Sequence, residues 1–155
     1  MMIAVATIIS GGQTGADRGA LDAAIELGIP HGGTCPKGRP AEDGIIPPKY
    51  QLKESTHKDS AERTEANVAK GDGTLICTFG RLTGGSKLTA EFARRHNKPY
   101  LHLDLNAEAT DYAVKCVREW LTDQDIKVLN VAGGRESESA GLHGAVKDLL
   151  TRVFK

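Results

Sequence analysis

Ile3-Ala-Val-Ala-Thr-Ile-Ile-Ser-Gly-Gly-Gln-Thr-Gly-Ala-Asp-Arg-Gly-Ala-Leu-Asp22 is the stretch whose reading decides the fold class. Residues Ile3 to Ile9 form a short apolar run rich in β-branched side chains and closed by Ser10-Gly11-Gly12. Such a run reads as a buried parallel strand, which need not alternate polar and apolar residues because both of its faces are covered. A helix is predicted from about Ala16 to Leu27, with Leu21, Ala24 and Ile25 on its inner face and Gly28 as its stop. Strand, glycine loop and helix are the first half of a βαβ unit.

The same alternation runs outward from this segment. A helix over 60–70 precedes a core strand at Gly73–Phe79, in which Cys77 reads as core; a glycine loop at 80–85 then leads to a helix capped by Ser86 and running through Asn97. Pro99–Asp104 is the next strand, and a helix from about Ala109 to Leu121 carries Ala113, Val114, Val117 and Leu121 on one face. Lys127–Val131 is a further strand, followed by the loop Gly133-Gly134-Arg135. In the closing helix Leu142, Ala145, Val146, Leu149, Leu150 and Val153 fall at i, i+3, i+4, i+7, i+8 and i+11. Strands alternating with helices predict an α/β protein with a doubly wound parallel sheet and helices on both faces, in one domain over residues 1–155. Between Ile29 and Tyr50 the pattern dissolves into glycine and proline, which predicts a long loop at about 31–50 with short strands near 29–34 and 51–54. A segment of that kind, when ordered, is often a binding loop.

Composition bounds the partners. The chain has 155 residues, 20 Lys plus Arg and 20 Asp plus Glu, and hence no formal net charge. That balance argues against a general binder of nucleic acid or of a membrane surface, which needs excess cations, and leaves room for a local anion site. Hydrophobic residues at 39% and charged residues at 26% are those of an ordinary globular domain. Glycine numbers 18, where average usage gives about 11. Cys35, Cys77 and Cys116 are widely spaced, with no Cys-x-x-Cys pair, and form neither a disulfide framework nor a zinc pattern. His31 and Cys35 have ligand-like spacing, but two such residues on a loop do not define a metal centre, and none is predicted. The N-terminal apolar run is too short to span a bilayer and leads straight into a glycine turn, so the expectation is a cytoplasmic protein.

In an open parallel sheet, ligands bind beyond the carboxyl ends of the strands. The glycine loops 11–15, 80–85 and 133–134 all fall at that edge and are expected to converge there. Glycine lets backbone approach a ligand, and unpaired amides at a helix start favour an anion, phosphate above all. Two familiar fingerprints are absent. Gly11-Gly-Gln-Thr-Gly15 is not G-x-G-x-x-G, and Gly80-Arg-Leu-Thr-Gly-Gly-Ser-Lys87 places Ser before Lys where a P-loop needs the reverse. The expected site therefore has Gly11, Gly12, Thr14 and Gly15 as one anion cradle and Gly84, Gly85 and Ser86 as another. Gly134 adjoins them, and Lys37, Arg39 and Arg135 neutralise charge. Arg18, Arg63, Arg81 and Lys87 lie in or beside the same edge. Asp17 is expected to cap the first helix, and Glu91 to lie one turn below the ligand edge.

Four segments together resemble the family named "putative molybdenum carrier": the first strand with Ser10–Asp22, Gly33-Thr-Cys-Pro-Lys-Gly-Arg-Pro-Ala-Glu-Asp-Gly44, the run Arg63–Ile76, and Asn130-Val-Ala-Gly-Gly-Arg-Glu-Ser137. The likeness covers almost the whole chain, and Cys-Pro-Lys-Gly-Arg-x-Ala-Glu-Asp-Gly is its most specific stretch. The resemblance implies a Rossmann-like fold related to the lysine-decarboxylase-like, or lonely-guy, proteins. It implies binding of molybdenum cofactor, a pterin with a dithiolene-held metal and a terminal phosphate, or of another phosphorylated, nucleotide-like ligand, and it implies a homo-oligomer. Some relatives are phosphoribohydrolases that release a base from a nucleoside monophosphate. Their motif Pro-Gly-Gly-x-Gly-Thr-x-x-Glu aligns with Thr83–Glu91, and their upstream Arg, nine residues before an Asp, aligns with Arg63 and Asp72. Glu91 and Arg63 would then be a catalytic pair, although the Pro, the third Gly and the Thr of the motif are replaced. The leading expectation is a carrier without catalysis. Its alternatives are that hydrolase and a sensor whose nucleotide-like ligand changes partner binding.

Overall fold

The apolar run that ends at Ile9 forms a strand over its last three residues, Thr7–Ile9 (β1), shorter than the pattern from Ile3 predicts. The reason is partnership: the neighbouring strand pairs with Thr7, Ile8 and Ile9, whereas Ile3 and Val5 only lean against the core from below. The computed structural model describes residues 3–107 and 110–155, so the expected helix start at Ala109 lies outside the described residues. After β1 come Ala16–Leu27 (α1), His31–Gly32 (β2), Thr34–Cys35 (β3), Pro40–Ala41 (β4), Gly44–Ile45 (β5) and Lys53–Glu54 (β6). Ser60–Lys70 (α2), Gly73–Thr78 (β7), Gly84–Arg95 (α3), Tyr100–Asp104 (β8), Thr110–Asp123 (α4), Val128–Gly133 (β9) and Leu142–Val153 (α5) follow.

The main sheet is parallel throughout, in the order β2-β1-β9-β7-β8. Helices cover both faces, as the alternating pattern predicts. Leu75, Cys77, Leu129 and Val131 face α1, α4 and α5, and burial pushes the Cys77 thiol up to about 12. On the other face α2 and α3 enclose a smaller cluster of Val68, Phe92 and Ala93.

The inner face of α1 differs from the expectation. Its buried stripe is Ala16, Ala20, Ala23 and Ala24, whereas Ile25 is 45% exposed. The cause is the closeness of α5: a Cβ on Gly19 would stand 2.5 Å from the His143 carbonyl oxygen, so that face of α1 has room only for small side chains. Leu21 is buried, but in a separate cluster with Cys35, Ile46 and Tyr50 from the following segment. Gly28 ends α1 in the left-handed conformation, as expected of a stop.

Residues 31–54 are more ordered than a long loop. β3 pairs with β6 and β4 with β5, forming two small two-stranded sheets outside the main one. The side-chain amide of Asn67 on α2 completes the edge of β3, accepting from the Thr34 N–H at 2.8 Å and donating to its carbonyl at 2.9 Å. The Tyr50 hydroxyl donates to Asp22 at 2.6 Å, and Arg18 forks onto Asp43 with Nη2 2.8 Å from Oδ1.

Two loops meet backbone to backbone at the carboxyl edge. Gly15 has φ +79°, and a Cβ there would lie 2.2 Å from the Gly134 carbonyl oxygen, which also accepts from the Ala16 N–H at 3.1 Å. Gly15→Ala therefore meets both a disfavoured φ and fixed backbone. Its expected cost is at least about 2 kcal/mol of unfolding free energy, read from urea denaturation against the parent.

Candidate functional site

A cleft of about 380 Å³ opens at the carboxyl ends of β1, β9 and β7. The strand order explains its place. The chain leaves β1 towards β2 at one edge and leaves β7 towards β8 at the other, so the loops after β1 and β7 part above the central β9. The volume is in the range of small-ligand sites. Its lining includes Gln13 and Asp17 after β1, Ser60, Arg63 and Thr64 of α2, Thr78 to Ser86 in part, and Gly133 to Arg135 with Glu138 and Ser139 after β9. Three arginines, Arg63, Arg81 and Arg135, face two carboxylates, Asp17 and Glu138.

The loop after β7 builds the clearest anion cradle. Thr83 is the helix N-cap, one turn earlier than the expected cap at Ser86. Ser86 is instead the third helical residue, and its hydroxyl accepts from the Thr83 N–H at 2.9 Å and donates to the Thr83 carbonyl at 2.8 Å. The Gly84 and Gly85 amides, first in the helix, have no acceptor among the described residues. No side chain crowds them, because a Cβ on either glycine would meet nothing within 4 Å. The Gly80 N–H is held at 2.9 Å by Asp104, whose carboxyl is kept below its ordinary value by that amide and by those of Asn106 and Ala107.

The loop after β1 is arranged differently. Its glycines serve close packing: a Cβ on Gly11 would strike the Arg63 guanidinium, and one on Gly12 would strike Leu52. Part of its backbone is turned on the protein's own anion, because the Gln13 N–H donates to the Asp17 carboxylate at 3.1 Å. Asp17 is the second residue of α1, after an N-cap at Gly15, so it is not the cap that its position suggests. It lies at the inner end of the cleft with a side chain 6% exposed, and Arg63 Nη1 stands 3.5 Å from its Oδ2. Burial raises the Asp17 carboxyl above its ordinary value, partly offset by Arg63, the Gln13 amide and Arg18. Thr14 points away from the cleft onto Glu42, and its Oγ1 accepts from the Glu136 N–H at 3.2 Å.

Of the residues expected at the site, Arg63, Gly84, Gly85, Ser86, Gly134 and Arg135 come together around this cleft. Gly11, Gly12, Thr14 and Gly15 form the wall behind Gln13 and Asp17 without lining it. Lys37 is exposed on the 31–54 segment. Arg39, with φ +61°, turns its guanidinium inward to the carbonyls of Pro47 at 2.9 Å and Tyr50 at 2.8 Å, stapling that segment. Glu91 does not line the cleft. Asp72 lies at the opposite end of the sheet, accepting from the Lys127 and Val128 amides at 3.0 and 2.8 Å where β9 begins. Of the pair that the hydrolase alignment gives, Arg63 lines the cleft and Glu91 does not. Sequence reasoning assigned no part in the cleft to Asp17, Gln13, Thr78, Phe79 or Glu138. The segment Gly11–Asp17 held the signal for the first two, but an acid at a helix start looks like a cap. Among the described residues no group of three or more His, Cys, Asp or Glu could hold a metal ion, and no helix is long and apolar enough to cross a membrane.

Comparison with known proteins gives two findings. Residues 8–154 match the model of the circularly permutated YpsA SLOG family. A solved structure named "Putative molybdenum carrier protein", from Syntrophus aciditrophicus SB, is 49% identical and superposes with a TM-score of 0.95 over 97% of this chain and 95% of its own. Among curated proteins none matches.

The β4–β5 hairpin is latched to the loops after β1 and β9 by Glu42. Its carboxylate accepts from the Ser137 hydroxyl at 2.6 Å, from the Ser137 N–H at 3.1 Å and from Thr14 Oγ1. The Ser137 and Thr14 hydroxyls hold the Glu42 carboxyl below its ordinary value of 4.5. A depressed folded-state value adds stability above the unfolded value and loses it as pH falls through the folded one. Glu42→Gln is therefore expected to be less stable than the parent at about pH 7 and to approach it at about pH 3.5. Urea unfolding at both values checks this; an equal gap at both would show that the charge contributes nothing.

Proposed function

This chain belongs to the circularly permutated YpsA SLOG family, and from that premise we propose that it is a carrier that holds one phosphorylated small molecule in the cleft above β9, molybdenum cofactor foremost. The observation that carries the reading is the start of α3. Two glycine amides without acceptors among the described residues, at the positive end of a 12-residue helix, open into a cleft that also holds Arg63, Arg81 and Arg135. A guanidinium offers forked donors that match phosphate oxygens, and three of them against two carboxylates leave the cleft locally cationic in a chain of zero net charge.

Molybdenum cofactor fits this site by one end. Its terminal phosphate suits the Gly84 and Gly85 amides with Arg81 and Arg135 nearby, while the dithiolene already holds the metal, so protein ligands to molybdenum are not needed. Phe79 in the lining offers an apolar face for a heterocycle. The 49% identical structure is named a molybdenum carrier protein, which supports a molybdenum-bearing cargo, and the phosphate-like cradle is what singles out the cofactor. Glu91 lies outside the lining that Arg63 enters, which favours binding without hydrolysis over the paired-residue enzyme.

The test is direct titration of the purified protein with molybdenum cofactor, with molybdate and with nucleoside monophosphates, together with the mass of any small molecule that co-purifies. Gly85→Asp is the informative variant. Its side chain enters open space, and an acid in the first turn favours the helix, so the fold should be kept. The added carboxylate faces the bound anion, and affinity is expected to fall about tenfold or more. Unchanged affinity in Gly85→Asp would remove the start of α3 from the site.

A further inference from the structure

One pair at the inner end of the cleft has no part in the α3 cradle. Arg63 and Asp17 reach each other across the gap between α2 and α1 at 3.5 Å, the long limit of a hydrogen bond. The Arg63 Nε is buried and has no partner among the described residues, although buried guanidinium nitrogens are almost always satisfied. Asp17 is turned back on its own loop, where the Gln13 N–H donates to the same Oδ2 that meets Arg63. Gly11 leaves the space that lets the guanidinium lie against this loop: a Cβ there would be 2.1 Å from Arg63 Nη1 and 3.0 Å from Asp17 Oδ2. The pair is therefore loosely joined, under-bonded on the cationic side and open to the cleft.

We infer that Arg63 and Asp17 form a second anion subsite whose occupation is coupled to a proton: an arriving oxyanion takes the Arg63 guanidinium, and the Asp17 carboxylate takes up one proton from solvent. The inference rests on the cleft being the ligand site. Its chemistry is that of a carboxylate losing its counter-ion while a like charge arrives, both of which disfavour ionisation. The groups facing Asp17 are Arg63 from α2, Arg18 from α1 itself, and the Gly11 and Gln13 amides from the loop after β1; Arg81, Arg135 and Glu138 line the same cleft. Burial already disfavours its charged form, and loss of the Arg63 counter-charge acts in the same direction. Asp17 thus becomes a positioning residue: it holds Arg63 in place when the cleft is empty and yields it when an anion enters.

The experiment is isothermal titration calorimetry of the whole chain with sulfate, a dianion that does not itself titrate near neutrality, and with adenosine monophosphate. Each titration is run in buffers of different ionisation enthalpy, and the wild type is compared with Asp17→Asn and Arg63→Gln. The wild type is expected to take up close to one proton per ligand, with affinity rising about tenfold for each pH unit lowered over that range. Asp17→Asn keeps an oxygen to accept from Gln13, and it is expected to bind with that proton missing from the count. Arg63→Gln is expected to bind at least about tenfold more weakly with the same loss of uptake, and it stands as the control if the first variant does not fold. Ligand binding with the same proton count in wild type and Asp17→Asn overturns the coupling and leaves the carrier reading intact. Binding of neither probe to the wild type overturns the second subsite, and the carrier reading is then decided by the separate titration with molybdenum cofactor.

Discussion

The architecture hangs on one close approach, that of the loop after β1 to the loop after β9. Gly15 abuts the Gly134 carbonyl with no room for a side chain, and the Ala16 amide bonds to that same oxygen. This contact brings α1 and α5 together along a face of alanines and Gly19, and it closes the main core with side chains from β1, β7 and β9. It also fixes the site. With those two loops fused, the gap that remains at the sheet's edge lies between them and the loop after β7, above the central strand. Glycine is thus used at the carboxyl edge in two ways: at Gly15 to join backbone to backbone, at Gly84 and Gly85 to leave backbone open.

Charge in this protein divides along the same line. Arg18 on α1 is paired with Asp43 and so holds the 31–54 segment against the domain, while Arg39 is turned into a ring of carbonyls within that segment. Arg63, Arg81 and Arg135 are left at the cleft. The acids show a similar division. Glu136 accepts from the amides of Gly141 and His143 and so supplies the cap that Gly141 cannot give α5, while Glu42 ties three loops together. A neutral chain can therefore present a cationic cleft, because many of its carboxylates are occupied in holding loops.

Much of this was legible in the sequence, and the limits have physical reasons. The β-branched runs and the i, i+3, i+4 spacing of Leu142–Val153 announced the strands and the closing helix, since periodicity records which face is covered. It does not record by what, and Ile25 was placed inward for that reason: a small-residue contact leaves no hydrophobic signature. The three glycine loops were placed at the correct edge by strand–helix alternation alone. What distinguishes an arginine that meets a ligand from one that meets carbonyls is not in its neighbours along the chain, because the same five donors suit both. Arg39 and Arg63 differ only in where the fold turns them. Asp17 was hidden in the same way, by sitting where a helix cap is ordinary.

The segment 34–54, which follows the main-sheet strand β2, packs Cys35, Ile46 and Tyr50 around Leu21 of α1, and its other ties to the rest of the protein include polar hooks at Asn67, Asp22, Arg18 and Glu42. A unit so joined can come away as a whole while the parallel sheet stays folded. Its amides should then exchange with solvent together and sooner than those of β7, so that this side of the molecule opens on a timescale independent of global unfolding.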